Sequence, residues 1–335
     1  MEELAAVCGI SRPTLSKYFH DPDSVRRSTR TKIEKAVEQY DFRPNIFAMN
    51  QNRRLTRNIG IIVPFLADPF FAEIARMIER RCLRSGYFPM LFSSHGQVDL
   101  ELKALGSLQS LKPAGALIAP LGRFSDPKAI EKFCANVPTI LFDSDLKDLG
   151  GGFVGSDNSQ TIGMIVEYLC RTGEPPCFFE MDTPVNPNAI KRRNAYVQTM
   201  ERLGHAPEDI RIDGSSWDFE EIGYQGGLKL ISERRLRSDT ILCSNDRLAI
   251  GLLAAAYEKG LKVGHGSGSA LRIAGHDDHP YSKYTCPPLT TISQDYSAIV
   301  ERSFEALIEL ITGGAEPGAR ETTLFEGRLV MRGSA

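Results

Sequence analysis

The sequence predicts a small all-α module at the N terminus, then a basic segment, then an α/β body of two lobes, each on a doubly wound parallel sheet. Three observations carry this expectation. Residues 1–44 repeat apolar positions at helical spacing around a tight glycine corner. From residue 59 onward, short apolar runs alternate with amphipathic helical patterns, as a parallel sheet with helical crossovers requires. That alternation occurs in two series, separated by "GGFVGSDN" at 151–158.

The chain has 335 residues and is 42% hydrophobic, enough for two or three cores. No apolar stretch approaches the roughly 18–20 residues of a membrane span. The opening "MEELAAVCGIS" lacks the basic start and apolar run of a signal peptide. The expected location is therefore the cytoplasm, with no membrane partner. Cysteines at 8, 82, 134, 170, 177, 243 and 286 form no CxxC pair and have no clustered histidines. Neither a zinc site nor a disulfide framework is expected, and the thiols read as reduced and mostly core. The net charge of −2 conceals an asymmetry: residues 1–58 hold eleven Lys/Arg against seven Asp/Glu, the remainder twenty-nine against thirty-five. A basic module on an acidic body is expected when one end meets a polyanion.

"MEELAAVCGISRPTLSKYF" reads as two short helices with a sharp corner. Leu4, Ala5 and Cys8 share a face, Gly9 can take the positive φ of the turn, and Ile10, Leu15 and Tyr18 continue the apolar side. Ser11 is placed to cap the second helix, with Pro13 in its first turn, where a missing amide hydrogen costs nothing. A small Ala5 opposite Gly9 suits the close helix crossing of a helix-turn-helix. Arg12, Pro13, Thr14, Ser16 and Lys17 then face outward. Arg12 and Lys17 can donate to guanine or phosphate, while Pro13 and the Thr14 methyl can meet a thymine methyl. A third helix in "STRTKIEKAVEQYDF" closes the core through Ile33, Ala36, Val37 and Tyr40, and Arg26, Arg27, Thr29 and Arg30 at its start are placed for phosphates.

With "RPN" at 43–45 following this module, the chain resembles the LacI/GalR family of transcription regulators over essentially its whole length. The resemblance implies a helix-turn-helix headpiece (1–44), a hinge helix and linker (45–58), and a two-lobed, periplasmic-binding-protein-like effector and dimerisation domain (59–335). Lobe one is expected at about 59–156 and 290–320, lobe two at about 157–289 and 321–335, so that the chain crosses between lobes three times. The implied partners are double-stranded operator DNA, a sugar, polyol or related effector, and a second copy of the chain. The implied activity is that of a repressor on a palindromic operator; the body alone would also suit the sugar-binding protein of a transport system. The DNA-facing set is Ser11, Arg12, Pro13, Thr14, Ser16, Lys17 and Thr29, with Asn45, Ala48 and Gln51 from the hinge. Gln51 stands where many members carry a leucine that wedges into the minor groove, which implies a smaller kink at the operator centre. The chain also begins closer to its first helix than members of the family usually do.

Ligands of open α/β sheets bind beyond the carboxyl ends of the strands. Just after the apolar runs stand Asp68, Phe70 and Phe71 in "ADPFF", Asp143 in "LFDSD", Asn245 in "CSND", Asp277 in "AGHDD" and Gln294 in "TTISQD". Arg192 in "AIKRRNAY" and Trp217 in "SSWDF" join them. Aromatic faces mixed with carboxylate, amide and guanidinium groups suit a polyhydroxylated ring. The resemblance implies effector contact for all nine, with Arg192 chosen over its neighbour Arg193 by the match to "RRNAY". Asp68 replaces an asparagine common in the family. "GHDDHP" at 275–280 contains metal-ligand types, but the family carries a similar run at this strand end without metal. No cofactor is called for. With neither a GxSxG elbow nor a Ser/His or Cys/His pairing, the sequence does not read as an enzyme.

Overall fold

The computed structural model describes residues 2–42, 56–233, 236–266, 268–313 and 320–335, and the chain divides into two compact units, Met1–Thr56 and Arg57–Ala335. Most of the expected hinge, including Asn45, Ala48 and Gln51, lies outside the described residues.

In the first unit, α1 (Glu2–Cys8), α2 (Arg12–His20) and α3 (Arg27–Gln39) enclose Leu4, Ala5, Leu15, Ile33 and Ala36. Gly9 turns the chain between α1 and α2 at φ 62°, and the amide of Ile10 bonds back to the Ala5 carbonyl at 3.0 Å. A Cβ on Gly9 would touch nothing within 4 Å. Its requirement is thus the left-handed turn and not the close crossing that the sequence suggested. Tyr40, expected in the core, is 56% exposed. Phe42 packs there instead, its ring 6.0 Å from that of Phe19. Helix α3 ends at Gln39, so the chain has left helical spacing where the fourth apolar residue is needed.

The second unit holds two parallel sheets. β1 (Asn58–Val63), α4 (Pro69–Arg84), β2 (Phe88–Ser93), α5 (Val98–Ser110), β3 (Gly115–Ile118), α6 (Pro127–Cys134), β4 (Thr139–Phe142) and β5 (Gly152–Ser156) alternate strand and helix. There follow α7 (Asn158–Thr172), β6 (Cys177–Met181), α8 (Ala189–Arg202), β7 (Asp209–Ile212), α9 (Phe219–Ser232), β8 (Thr240–Cys243), α10 (Asp246–Glu258) and β9 (Arg272–Ala274). Last come β10 (Thr291–Ser293), α11 (Tyr296–Thr312), β11 (Glu321–Phe325) and β12 (Arg328–Val330). The first sheet has the order β11-β5-β4-β3-β1-β2, the second β7-β6-β8-β9, and β10 pairs antiparallel with β12 beside the second. Both faces of the first sheet are covered: Ile59, Ile61 and Val63 point to one core and Ile62 to another. This explains why its strands read as unbroken apolar runs instead of alternating ones.

The three crossings fall where strand pairing puts them, and two differ from expectation. Thr291–Ser293 sits with the second lobe, where the Asp277 amide bonds to the Ile292 carbonyl at 2.9 Å. Glu321–Phe325 belongs to the first, paired in parallel with β5. The reason is a break within "TTLFEGRLV". A Cβ on Gly327 would lie 2.6 Å from the Thr161 methyl and 3.0 Å from the Ser293 carbonyl oxygen. One expected strand therefore splits into two strands in different lobes.

Helices α9 and α10 meet through glycines. A Cβ on Gly223 would stand 2.4 Å from the Leu248 carbonyl oxygen, and one on Gly251 2.1 Å from that of Glu220. Alanine in a helix is favoured over glycine by about 1 kcal/mol, but forcing a methyl into a packed contact costs about 1–3 kcal/mol. Because the obstructing atoms are backbone, we expect Gly251→Ala to lower the urea midpoint of the second unit instead of raising it.

Candidate functional site

On the headpiece, Arg12, Pro13, Ser16 and Lys17 are exposed, and Thr14 and Thr29 are half-buried. The Ser11 Oγ accepts from the Thr14 amide at 3.3 Å and lies 2.8 Å from the Thr14 hydroxyl, so these two residues form the helix cap as well as its outward corner. Arg12 pairs with Glu2 at 3.1 Å. Both side chains are exposed, and such a pair is weak enough to give way to a phosphate. Arg30 pairs with Asp23 and Glu34 at 2.5 and 2.9 Å, also as an exposed side chain.

In the body, the nine residues singled out for the effector all line one cleft between the two sheets, of about 630 Å³ including its open mouth. Its centre is a buried ion pair. The Arg192 guanidinium, on the first turn of α8, donates to Asp277 at 2.7 Å, to the Ser244 carbonyl at 2.8 Å and to the Asn158 side-chain oxygen at 3.2 Å. Asp277 also accepts from Gln294 at 2.7 Å and from the His276 Nδ1 at 2.9 Å. Burial opposes ionisation of Asp277, but the guanidinium and the imidazole outweigh it and hold the carboxyl down at about 2. Burial and the neighbouring Arg192 push His276 down to about 4, so the imidazole is neutral. Arg193 turns away to Asp209 at 2.6 Å.

Asp143 stands at φ 60° at the end of β4 and accepts from the Asn188 amide at 2.9 Å. Burial raises its carboxyl to about 7, with Arg192 and Lys191 pulling the other way. Asn245 caps α10, its side-chain oxygen accepting from the Leu248 amide at 2.9 Å. This leaves its Nδ2 for a ligand. Asp68 caps α4 in the same manner through the Phe70 amide at 2.9 Å. Burial raises its carboxyl despite the pull of Arg247. Phe71 is buried in the core while its edge reaches the cleft, and Phe70 meets the rings of Phe71 and Tyr296 edge-on at 4.9 and 5.2 Å. Trp217 stacks on Phe65 with centroids 5.2 Å apart.

Sequence reading missed two contributors. Arg247 bonds Asp68 at 3.0 Å and Glu220 at 2.7 and 2.6 Å. The hydroxyl of Tyr296 donates to the Asp277 carbonyl at 2.5 Å. Both are legible by position, Arg247 two residues after Asn245 and Tyr296 two after Gln294, each in the first turn of the following helix. Within "GHDDHP" each group has its own partner: His276 bonds Thr161 and Asp277, Asp278 bonds Arg332, and the His279 ring nitrogen Nδ1 accepts from the Tyr281 amide. Among the described residues, no group of three or more such side chains is placed to hold a metal ion.

Asp143 supplies a pH test. Its folded pKa lies above the unfolded value of about 3.9, so the neutral form stabilises the fold. That contribution is complete below about pH 4 and is lost as pH rises towards 7. Asp143→Asn cannot ionise, so the melting temperature of the variant minus that of the wild type should become more positive from pH 5 to pH 8. Asp246, also raised to about 7 by burial, acts alike in both proteins and cancels in the difference. A flat difference would show that Asp143 carries no such strain.

Known proteins agree with this arrangement at both ends of the chain. The profile of bacterial regulatory proteins of the lacI family matches residues 1–45, and that of the periplasmic binding protein-like domain matches residues 160–335. The chain is similar to the ribose operon repressor of Escherichia coli (strain K12), 26% identical, covering 100% of this chain and 99% of that one. It is also similar to the transcriptional repressor CytR of the same organism, 27% identical over 100% and 95%. A solved structure of the Lac repressor dimer bound to operator and the anti-inducer ONPF superposes with a TM-score of 0.85 at 25% identity, covering 99% of this chain and 97% of that one. With a helix-turn-helix in front and a two-lobed cleft behind, the chain belongs to the LacI/GalR family of DNA-binding transcription regulators.

Proposed function

We propose that the protein is a cytoplasmic repressor that binds a palindromic operator as a homodimer, with affinity gated by a neutral sugar or polyol in the interlobe cleft. The observation that carries the reading is the pairing state of that cleft. Its guanidiniums, Arg192 and Arg247, are each already engaged by carboxylates. A sugar phosphate or sugar acid would have to displace one of them, whereas hydroxyls can bond Asp143, Asn245 and the outer edges of the existing pairs while a ring face meets Phe70 or Trp217. The headpiece separates this reading from that of a transport protein, because Arg12, Ser16 and Lys17 stand exposed on a recognition helix. For the dimer, β2 forms an edge of the first sheet and carries Phe88 and Leu91 exposed, and the helices α4 and α5 carry exposed Leu83 and Leu102. The cleft has no paired nucleophile and base to support catalysis in this reading.

Selection of binding sites from random duplex DNA at a stated salt concentration should enrich a two-fold symmetric sequence, since each headpiece reads one half-site. No enriched palindrome would remove the proposal. In a thermal-shift screen, neutral sugars and polyols should raise the melting temperature more than sugar phosphates or sugar acids do. The reverse order would show that an arginine is surrendered to an anion.

A further inference from the structure

We propose that Arg247 and Asp68 form an ionic clasp that holds the cleft closed in the absence of effector. Arg247 lies at the start of α10 in the second lobe, and its NH1 donates to the Asp68 Oδ2 at 3.0 Å across the cleft. Its other donors are fixed within its own lobe. Nε and NH2 bond Glu220 at 2.7 and 2.6 Å, and the guanidinium stands 5.0 Å over the Phe219 ring. The arginine is thus aimed before it reaches across, so little side-chain entropy is lost in making the last bond. Asp68 is fixed equally, since its other oxygen caps α4. Only 14% of the Arg247 side chain and 11% of the Asp68 side chain is exposed, which sets the pair apart from the screened surface pairs of the headpiece. A carboxamide at position 68 would cap the helix as well and leave Arg247 without its partner in the first lobe. This inference rests on the reading of the cleft as the effector site, but the closure it describes needs neither effector nor operator.

The chain carries its own reporter. Trp217 is the single tryptophan, and it stacks from the second lobe on Phe65 of the first, 7% exposed. Opening the cleft must uncover it. In the full-length protein without ligand, Asp68→Asn and Arg247→Gln should each shift tryptophan emission to the red and raise its quenching by acrylamide, as the open-to-closed ratio rises about tenfold. The double variant should add nothing to either single one. Wild-type quenching should change little with salt, because a pair this buried is weakly screened. Circular dichroism separates opening from unfolding. Were Asp68→Asn to unfold, Arg247→Gln still decides, because quenching in that folded variant equal to the wild type overturns the clasp. Equal quenching in the wild type and a folded Asp68→Asn overturns it too. If the clasp behaves as expected and no sugar changes the protein, the effector reading fails alone.

Discussion

The cleft depends on the buried pair of Arg192 and Asp277. Taking two charges out of water costs several kcal/mol per ion, and their attraction repays this only when the remaining donors and lone pairs are also satisfied. Here they are satisfied by Asn158 at the start of α7, the Ser244 carbonyl after β8, Gln294 after β10 and the neutral His276, itself tied to Thr161. Each partner comes from a different element of the second lobe or its border. One ion pair therefore fixes where several chain segments end, and it does so at the carboxyl edge of the sheet, where a ligand meets them.

That edge also holds backbone in unfavourable geometry. Asp143 and Asp277 have φ of 60° and 122°, regions in which a side chain costs of order 1–3 kcal/mol. In each case surrounding bonds over-determine the conformation. The Asp277 amide bonds Ile292 and its carbonyl accepts from Tyr296, while the Asp143 amide bonds Val154 and its carbonyl accepts from Asn188. The carboxylates are thereby aimed into the cleft and cannot relax back along their strands. Preorganisation of this kind lowers what a ligand must spend on ordering its site.

Much of the architecture was legible because the physics was local. The N-cap at Ser11, the turn at Gly9 and the apolar runs of doubly covered strands are written in adjacent residues, and the strand-end rule brought seven of the nine cleft residues to one place, with Arg192 and Trp217 added from their own motifs. The remainder depended on distant partners. β7, with its alternating "DIRI", is an edge strand buried on one side, and a search for continuous apolar runs passes over it. The split at Gly327 arises from Thr161 and Ser293, more than thirty residues away in either case. Arg247 reads as an ordinary charge in the first turn of a helix. Its meaning comes from Asp68, which is 179 positions earlier.

A ligand can shift an opening equilibrium only by the difference between its affinities for the open and closed forms. In a cleft held apart by desolvated charge, most of the gain from bridging contacts would go into closure itself. Here Trp217 on Phe65, Asn188 on Asp143 and Arg123 on the Pro184 carbonyl already join the lobes, as does the Arg247–Asp68 pair. An effector that only adds contacts to this closed form tightens what exists. One that competes for Asp68 or wedges beneath Trp217 opens it. Whether a compound acts in one direction or the other is then set by which of these contacts its shape leaves intact, a property of the ligand and not of a separate mechanism in the protein.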